Sequence, residues 1–354
     1  MKTAVAILNW NGLSLLTKFL PSVVDNTPND IDIYIIDNGS SDNSVGFVKR
    51  NFNNIKIIDL EMNYGYAHGY NLAIKKIDAD IICLLNNDVE VSANWTYPIL
   101  ELFKLEKNTA IVQPKLLDYN NKNMFDYAGA AGGFLDKFGY PYCRGRIHDV
   151  IEKDIGQYDD ISKIFWACGA CFFIRKEVFD SVRGFDSDFW AHMEEIDLCW
   201  RVQNLGYDVK YHYKSEVYHL NGGTLNKENH KKTYLNFRNQ LYMLTKNYKG
   251  NLFMLLLFKF FIDLIVSVFY LLTKEVKHSL AIFTGYISFY KRLNHLIGKE
   301  IYKLYQKIDT FDFFVLTKPS KDLDVIFISD VDDEVWPERH GGVNKDGQIR
   351  PCGD

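Results

Sequence analysis

Ile81-Ile82-Cys83-Leu84-Leu85-Asn86-Asn87-Asp88 is an apolar run that stops abruptly on two amides and a carboxylate. An unbroken apolar run of this length predicts a strand buried on both faces, as in a parallel sheet. Ligands of open α/β sheets bind beyond the carboxyl ends of the strands, so Asp88 falls where a site residue belongs. The same letters also fit a strand closed by an Asn/Asp turn. The flanking chain decides between the two.

Upstream the pattern repeats. Thr3 to Trp10 is apolar and closes on Asn11-Gly12, and Leu13 to Val24 carries apolar residues at helical spacing. Ile31 to Ile36 ends in Asp37-Asn38-Gly39-Ser40-Ser41-Asp42, and Ile55 to Leu60 leads into the glycine loop Asn63 to Asn71. Alternating strands and helices of this kind predict an α/β fold with a doubly wound, mostly parallel sheet. Because successive strands end in Asn, Asp or Gly, their ends are expected to converge on one cleft. A glycine loop there can bring backbone N–H groups to a phosphate, although the first βα turn lacks the G-x-G-x-x-G fingerprint of dinucleotide sites.

Downstream, Ala110 to Leu117 reads as another strand, residues 118–163 as an irregular insertion on the acceptor side, and Phe165 to Ile174 as a return to regularity. Glu194 to Asn204 reads as a helix with Ile196, Cys199 and Trp200 facing inward and Asp197 and Arg201 paired at i,i+4. Glu194 and Glu195 then occupy its first turn, where the helix dipole favours acids whatever their role. A base at that position needs burial or an acidic neighbour to keep its pKa up, and Glu194 beside Glu195 is one such neighbour. Lys210 to His219 is an alternating strand that delivers His219 to its end. One Asp and one His from separate strand ends suit a divalent cation whose other positions are filled by phosphate and water.

With 354 residues, a catalytic domain plus an appendage is expected. Lys and Arg number 41 against 45 Asp and Glu, a net charge of −4 that argues against a general nucleic-acid binder. Six cysteines and an N-terminus that runs straight into a strand predict a reduced, cytosolic setting without disulfides. Cys168-Gly-Ala-Cys171 has redox spacing but apolar flanks, and reads as packing. Leu252 to Leu272 is apolar apart from Lys259, Asp263 and Ser267, which share one helical stripe and favour an in-plane or paired helix over an isolated span. Lys291, His295, Lys299, Lys303 and Lys307 recur every four residues, as on a basic interfacial helix drawn to an anionic membrane surface. The segment 318–354 reads as an acidic tail or an added strand, without chemistry.

Taken together, VAILNWNG (5–12), IIDNGSSDNS (35–44), NYGYAHGYN (63–71), LLNNDVEV (84–91), CGACFFIRKEVFDSVRGFD (168–186), HMEEIDLCWR (192–201) and VYHLNGG (217–223) resemble the family 2 glycosyltransferases of the GT-A fold, rhamnosyltransferase-like branch. The resemblance covers roughly 3–240 and implies an inverting, metal-dependent transfer of a sugar, rhamnose in this branch, from a nucleotide sugar to a glycan or lipid-linked saccharide. It implies that Asn9, Asn11 and Asp37 surround the nucleoside and that Gly65, Asn71 and Asn87 belong to the donor site. Asp88 and His219 would hold magnesium or manganese, and Glu195 would be the base, supported by Glu194 and Asp197. Asn86-Asn87 stand where many relatives carry acids. The implied organisation is a catalytic domain over 1–240, a membrane-associating helical region over 241–317 and the tail, with the protein held peripherally on the cytoplasmic face of the membrane, and a homo-oligomer admitted. A sugar-phosphate nucleotidyltransferase and a catalytically silent scaffold of polysaccharide assembly are the rival readings.

Overall fold

The computed structural model describes residues 1–147, 150–220 and 229–305. One compact unit spans Met1–Lys299. Its first part alternates β1 (Thr3–Asn9), α1 (Leu13–Asn26), β2 (Asp32–Asn38), α2 (Ser44–Asn51), β3 (Lys56–Leu60), α3 (Gly65–Ile74) and β4 (Ile81–Asn86). The residues of β4 from Ile81 to Leu85 are fully buried, as a two-sided strand requires. In α1, Leu16, Phe19, Leu20 and Val23 are the buried residues, the i, i+3, i+4, i+7 stripe of a helix laid on a sheet.

There follow β5 (Val89–Val91), α4 (Tyr97–Leu105), β6 (Thr109–Asp118), β7 (Gly133–Leu135), β8 (Pro141–Cys143), β9 (Arg146–Ile147), β10 (Val150–Ile151), β11 (Ile161–Lys163), β12 (Cys171–Arg175), α5 (Lys176–Ser181), α6 (Glu194–Asn204) and β13 (Asp208–His219). The main sheet has the order β11-β13-β6-β12-β4-β1-β2-β3, with β5 paired to β13. Six strands, β1, β2, β3, β4, β6 and β13, run one way, while β5, β11 and β12 run against them. The mostly parallel sheet expected from sequence is therefore present, with β12 inserted antiparallel between β4 and β6. The 118–163 region is less irregular than it reads: β7 to β10 form a small antiparallel sheet. Strands of two or three residues are too short to show a period.

Three helices close the described chain: α7 (His230–Asn247), α8 (Leu252–Leu272) and α9 (Val276–Tyr305). Among the described residues, α8 is the helix long and apolar enough to cross a membrane. The polar stripe of α8 is not open to water: Lys259, Asp263 and Ser267 are buried against the rest of the protein. Here the paired arrangement is the one adopted. Lys291 is exposed on α9. The side chains of His295, Lys299 and Lys303, together with Lys307, the 318–354 tail and the Asn221-Gly222-Gly223 loop, lie outside the described residues.

Candidate active site

The carboxyl ends of β1, β2 and β4 lie level, with Leu8 opposite Asn86 and Asn9 opposite Asp37. Asn9 is fully buried and ties these ends together. Its amide N–H groups donate to Ser44 Oγ at 3.0 Å and Ser40 Oγ at 3.3 Å and approach Asp37 Oδ1 at 3.5 Å, while its Oδ1 accepts from Asn87 Nδ2 at 3.0 Å. Asp37 Oδ2 accepts from the Ser40 N–H at 3.0 Å. Asn11 has φ 49°, and its Oδ1 accepts from the N–H groups of Ser41 at 2.7 Å and Asp42 at 3.2 Å. Gly12 is required beneath this network, because a Cβ there would lie 2.3 Å from Asn9 Oδ1 and 2.4 Å from Asn87 Nδ2. Asn9 thus joins Asp37 and Asn87 directly, while Asn11 is held beside them by residues 40–42.

The glycine loop is also held, though not in the way expected. Asn38 Oδ1 accepts from the Tyr64 N–H at 3.0 Å and Asn63 Oδ1 from the Gly65 N–H at 2.9 Å, so two of its donors are already engaged. Asn71 donates to Phe185 O at 2.7 Å and accepts from Phe185 N at 2.9 Å, which makes it a clamp between α3 and the 184–186 turn. Gly65, at φ +74°, runs against Trp190, whose carbonyl oxygen would be 3.2 Å from an added Cβ.

Across the sheet, β13 brings His219 to Asp88. The imidazole Nε2 lies 3.4 Å from Asp88 Oδ1, and Nδ1 lies 3.1 Å from Asp126 Oδ1. Burial opposes an imidazolium here, but Asp126 and Asp88 outweigh it and raise the pKa to about 10. Nothing in the sequence marks Asp126; its Oδ2 accepts from the N–H groups of Ala128 and Gly129 at 2.8 and 3.1 Å. Its other oxygen orients His219, the carboxylate–imidazole support common behind metal-ligating histidines.

Do these residues fit a divalent cation? Asp88 Oδ1 is buried and makes no hydrogen bond. Its 3.4 Å separation from His219 Nε2 is close to the ~3 Å between neighbouring ligands of one octahedral ion. Among the described residues no third His, Cys, Asp or Glu completes such a group. The pair therefore fits a cation whose remaining ligands come from phosphate and water.

On the other side stands α6, built as the sequence predicts. Asp197 is fully buried, accepting from Arg201 Nε at 2.8 Å, Lys246 Nζ at 2.9 Å and Asn247 Nδ2 at 2.8 Å. Burial works against its charge, yet Arg201 and Lys246 hold its pKa below the ordinary carboxylate value. Asp197 is thus an anchor for α7. Glu194 and Glu195 differ: each has a buried Oε2 without a hydrogen-bond partner. Burial lifts Glu195 from 4.5 to about 7, against backbone hydrogen bonds that pull it down. Burial, and then the charge of Glu195, push Glu194 well above its ordinary value. The acidic neighbour expected from sequence is in place, and burial is the larger cause of the upward shift at both carboxyls. Burial also raises the Cys168 thiol, with the charges of Asp126 and Glu195 adding to it.

The loop entering α6 is strained. Trp190, His192 and Met193 have φ of 60°, 68° and 73°, a left-handed conformation costly for side chains of this size. What holds it is Asn239 of α7, fully buried, whose amide donates to the carbonyls of Phe189 at 3.0 Å, Ala191 at 2.9 Å and His192 at 2.7 Å. Trp190 itself stays exposed, with Lys231 Nζ 4.6 Å above its ring. Asn239 escaped the sequence reading because nothing local marks a lone Asn in a helix as a clamp.

The sequence model of the family described as Glycosyl transferase family 2 matches residues 4–183. The chain belongs to this family. Its relatives include the N-acetylglucosaminyl-diphospho-decaprenol L-rhamnosyltransferase of Mycobacterium tuberculosis, 22% identical over 62% of this chain and 78% of that protein. The rhamnosyltransferase WbbL of Escherichia coli is 26% identical over 42% of this chain and 58% of its own length, in keeping with the rhamnosyltransferase-like branch. N-acetylgalactosaminyltransferase 6 of Drosophila melanogaster is 23% identical over 63% of this chain, and the alignment spans only 34% of that longer protein. Among solved structures, GalNAc-T7 with UDP, GalNAc and Mn2+ superposes with a TM-score of 0.57 at 16% identity, over 71% of this chain and 48% of that one, which supports the GT-A fold.

Proposed function

We propose that this family 2 chain moves a sugar from a nucleoside diphosphate sugar to a hydroxyl of a lipid-linked or surface-polysaccharide precursor, with inversion. The observation that carries the reading is Glu195, a carboxylate in the first turn of α6 with an unpartnered buried oxygen and a pKa raised by burial to about 7. A base that is half ionised at neutral pH can accept a proton and still exist in its reactive form. The acceptor oxygen attacks the anomeric carbon, its proton passes to Glu195, and the bond to the diphosphate breaks with its electron pair leaving on the nucleotide. Direct displacement inverts the anomeric centre.

Asn9, Asn11, Asp37 and Gly65 form the edge on which the nucleoside rests, with Asn87 behind Asn9 and Asn71 fixing the loop from below. Asp88 and His219 would hold magnesium or manganese, which supplies charge neutralisation for the departing diphosphate. Glu194, kept neutral by burial, excludes water beside the base, and Asp197 fixes the helix that carries it. Rhamnose as the donor sugar is supported by the two rhamnosyltransferases among the relatives. The region 1–240 performs the transfer, and 241–317 applies it to the cytoplasmic face of an anionic membrane, where a lipid-linked acceptor is presented.

The test is transfer from a nucleotide-sugar panel to a lipid-linked saccharide, with Glu195→Gln alongside. Loss of roughly 10²–10⁴ in kcat with donor binding retained is expected. Wild-type turnover by a folded Glu195→Gln protein overturns the mechanism, and pyrophosphate release from a nucleoside triphosphate would establish the nucleotidyltransferase instead.

A further inference from the structure

The polarity of α8 is inverted relative to a helix on the surface of a water-soluble protein. Its charged residues face inward. Lys259, fully buried, donates to Gln240 of α7 at 2.7 Å and lies 3.7 Å from the centre of the Tyr140 ring. Asp263 accepts from the hydroxyls of Tyr140 and Tyr286, the latter at 2.6 Å, and Ser267 meets Ser279 of α9 at 2.7 Å. The opposite face is apolar and open: Phe258, Phe261, Ile265, Val268 and Leu272 are exposed, at the alternating three- and four-residue spacing of one helical stripe. On α9 the exposed residues Leu280, Phe283, Ile287 and Tyr290 repeat that spacing. Contiguous apolar surface of this extent marks an interaction face.

Charge at its rim selects the partner. Lys249, Lys274, Lys277 and Lys291 are exposed around the two helices, and Glu275 is the exposed acid between residues 249 and 294. In a chain of net charge −4 this is a local basic border. Two copies of a basic-rimmed face repel each other, whereas an anionic lipid surface attracts both the rim and the apolar centre.

Geometry then decides how the face enters the lipid. A 21-residue helix is about 32 Å long, enough to cross a bilayer core. Yet Leu255, Lys259, Asp263 and Ser267 are buried at four-residue steps along most of α8, so protein covers that side from one end nearly to the other. Were α8 to span, Gln240 and Tyr140 would have to follow Lys259 into the middle of the hydrocarbon, where their backbone and neighbouring charges have no water. We propose that α8 and α9 form a hairpin seated in one leaflet of an anionic membrane, lying in its plane and returning to the same side. This rests on the membrane association proposed above and specifies its form: the protein is monotopic, with the buried polar stripe joining the hairpin to the catalytic domain.

The full chain should co-float with vesicles of phosphatidylcholine containing phosphatidylglycerol, and weakly with phosphatidylcholine alone. Phe261→Glu with Ile265→Glu should lower partitioning on the order of a hundredfold, about tenfold for each buried side chain lost, with an unchanged circular dichroism melt. Failure of the wild type to float overturns membrane association itself. A soluble dimer that shields Ile265→Cys from a maleimide and ignores vesicles assigns the face to a second copy and also overturns it. Orientation is read in sealed inverted membrane vesicles from bacterial cells expressing Lys249→Cys or Lys274→Cys in a Cys352→Ser background. Labelling of both by an impermeant maleimide from the cytoplasmic side is expected, whereas labelling of Lys249→Cys alone overturns the monotopic hairpin while leaving membrane association intact.

Discussion

The two sides of the cleft are built on opposite rules. On the donor side, Asn9, Asn11, Asp37 and Asn87 are satisfied at the strand ends by one another and by residues 40–44, leaving a preformed edge. On the α6 side, Glu194 and Glu195 keep oxygens buried without partners, behind a backbone with three consecutive-region residues at positive φ. A satisfied network fixes shape for binding. Unsatisfied carboxylates hold a pKa away from its ordinary value, which is what proton transfer uses.

Within α6 itself the contrast narrows to two acids of opposite tuning, and it gives the largest expected effect. Removing Asp197 leaves Lys246, only 3% exposed at its side chain, with Asp186 at 2.7 Å as its remaining acidic partner. Asp197→Ala should cost about 3–5 kcal/mol in denaturant unfolding, as breaking a buried pair does. Glu195→Gln should go the other way. A carboxyl whose folded pKa is raised contributes stability below its ordinary 4.5 and loses it as pH rises through about 7. At pH 8 the Gln protein should therefore be more stable than the wild type by on the order of 1–2 kcal/mol, while Asp197, with its depressed pKa, loses its contribution only as pH falls below the carboxylate range. Equal stability losses in both variants would erase the distinction between anchor and base.

The strained loop offers a second way to break the comparison. Asn239→Ala removes the amide shared by three carbonyls, and should cost about 1–3 kcal/mol of stability. If that clamp positions the base, kcat should fall roughly tenfold or more with donor KM unchanged, because displacement of a catalytic group weakens transition-state contacts alone. On the donor side Gly12→Ala should do the reverse. A Cβ 2.3 Å from Asn9 Oδ1 forces the network apart at about 1–3 kcal/mol, raising donor KM more than it lowers kcat. Matching kinetic signatures from the two variants would mean that the halves are not separable.

How far the sequence reveals these halves follows from how local each device is. Asp88, Asp37 and Asn9 are legible because a buried strand ending in a polar residue announces both the strand and its end. Glu194 and Glu195 are legible as a helix start, but their raised pKa values are not, since burial arises from elements far along the chain. Asp126 lies in the connection between β6 and β7, where no period marks it, and its link to His219 spans 93 residues. Asn239 acts on the 189–192 backbone from another helix, and the inward turn of Lys259 depends on Gln240, Tyr140 and Tyr286. Asn71 was legible as part of a motif whose physical job, a clamp on Phe185, only the packing discloses.

The smallest effect is the sharpest discriminator between burial and repulsion at Glu195. The rate should rise with pH through about 7 in the wild type, because the base must be ionised to accept the acceptor proton. If burial sets the base, Glu194 keeps its proton over that range, in line with the upward push it receives from burial and from the Glu195 charge. Glu194→Gln replaces a neutral acid by a neutral amide of the same shape, so the limb of kcat/KM should move by less than about half a unit. A downward move of about one unit or more would mean that the two carboxylates share a proton, in which case like-charge repulsion, and not burial, sets the base.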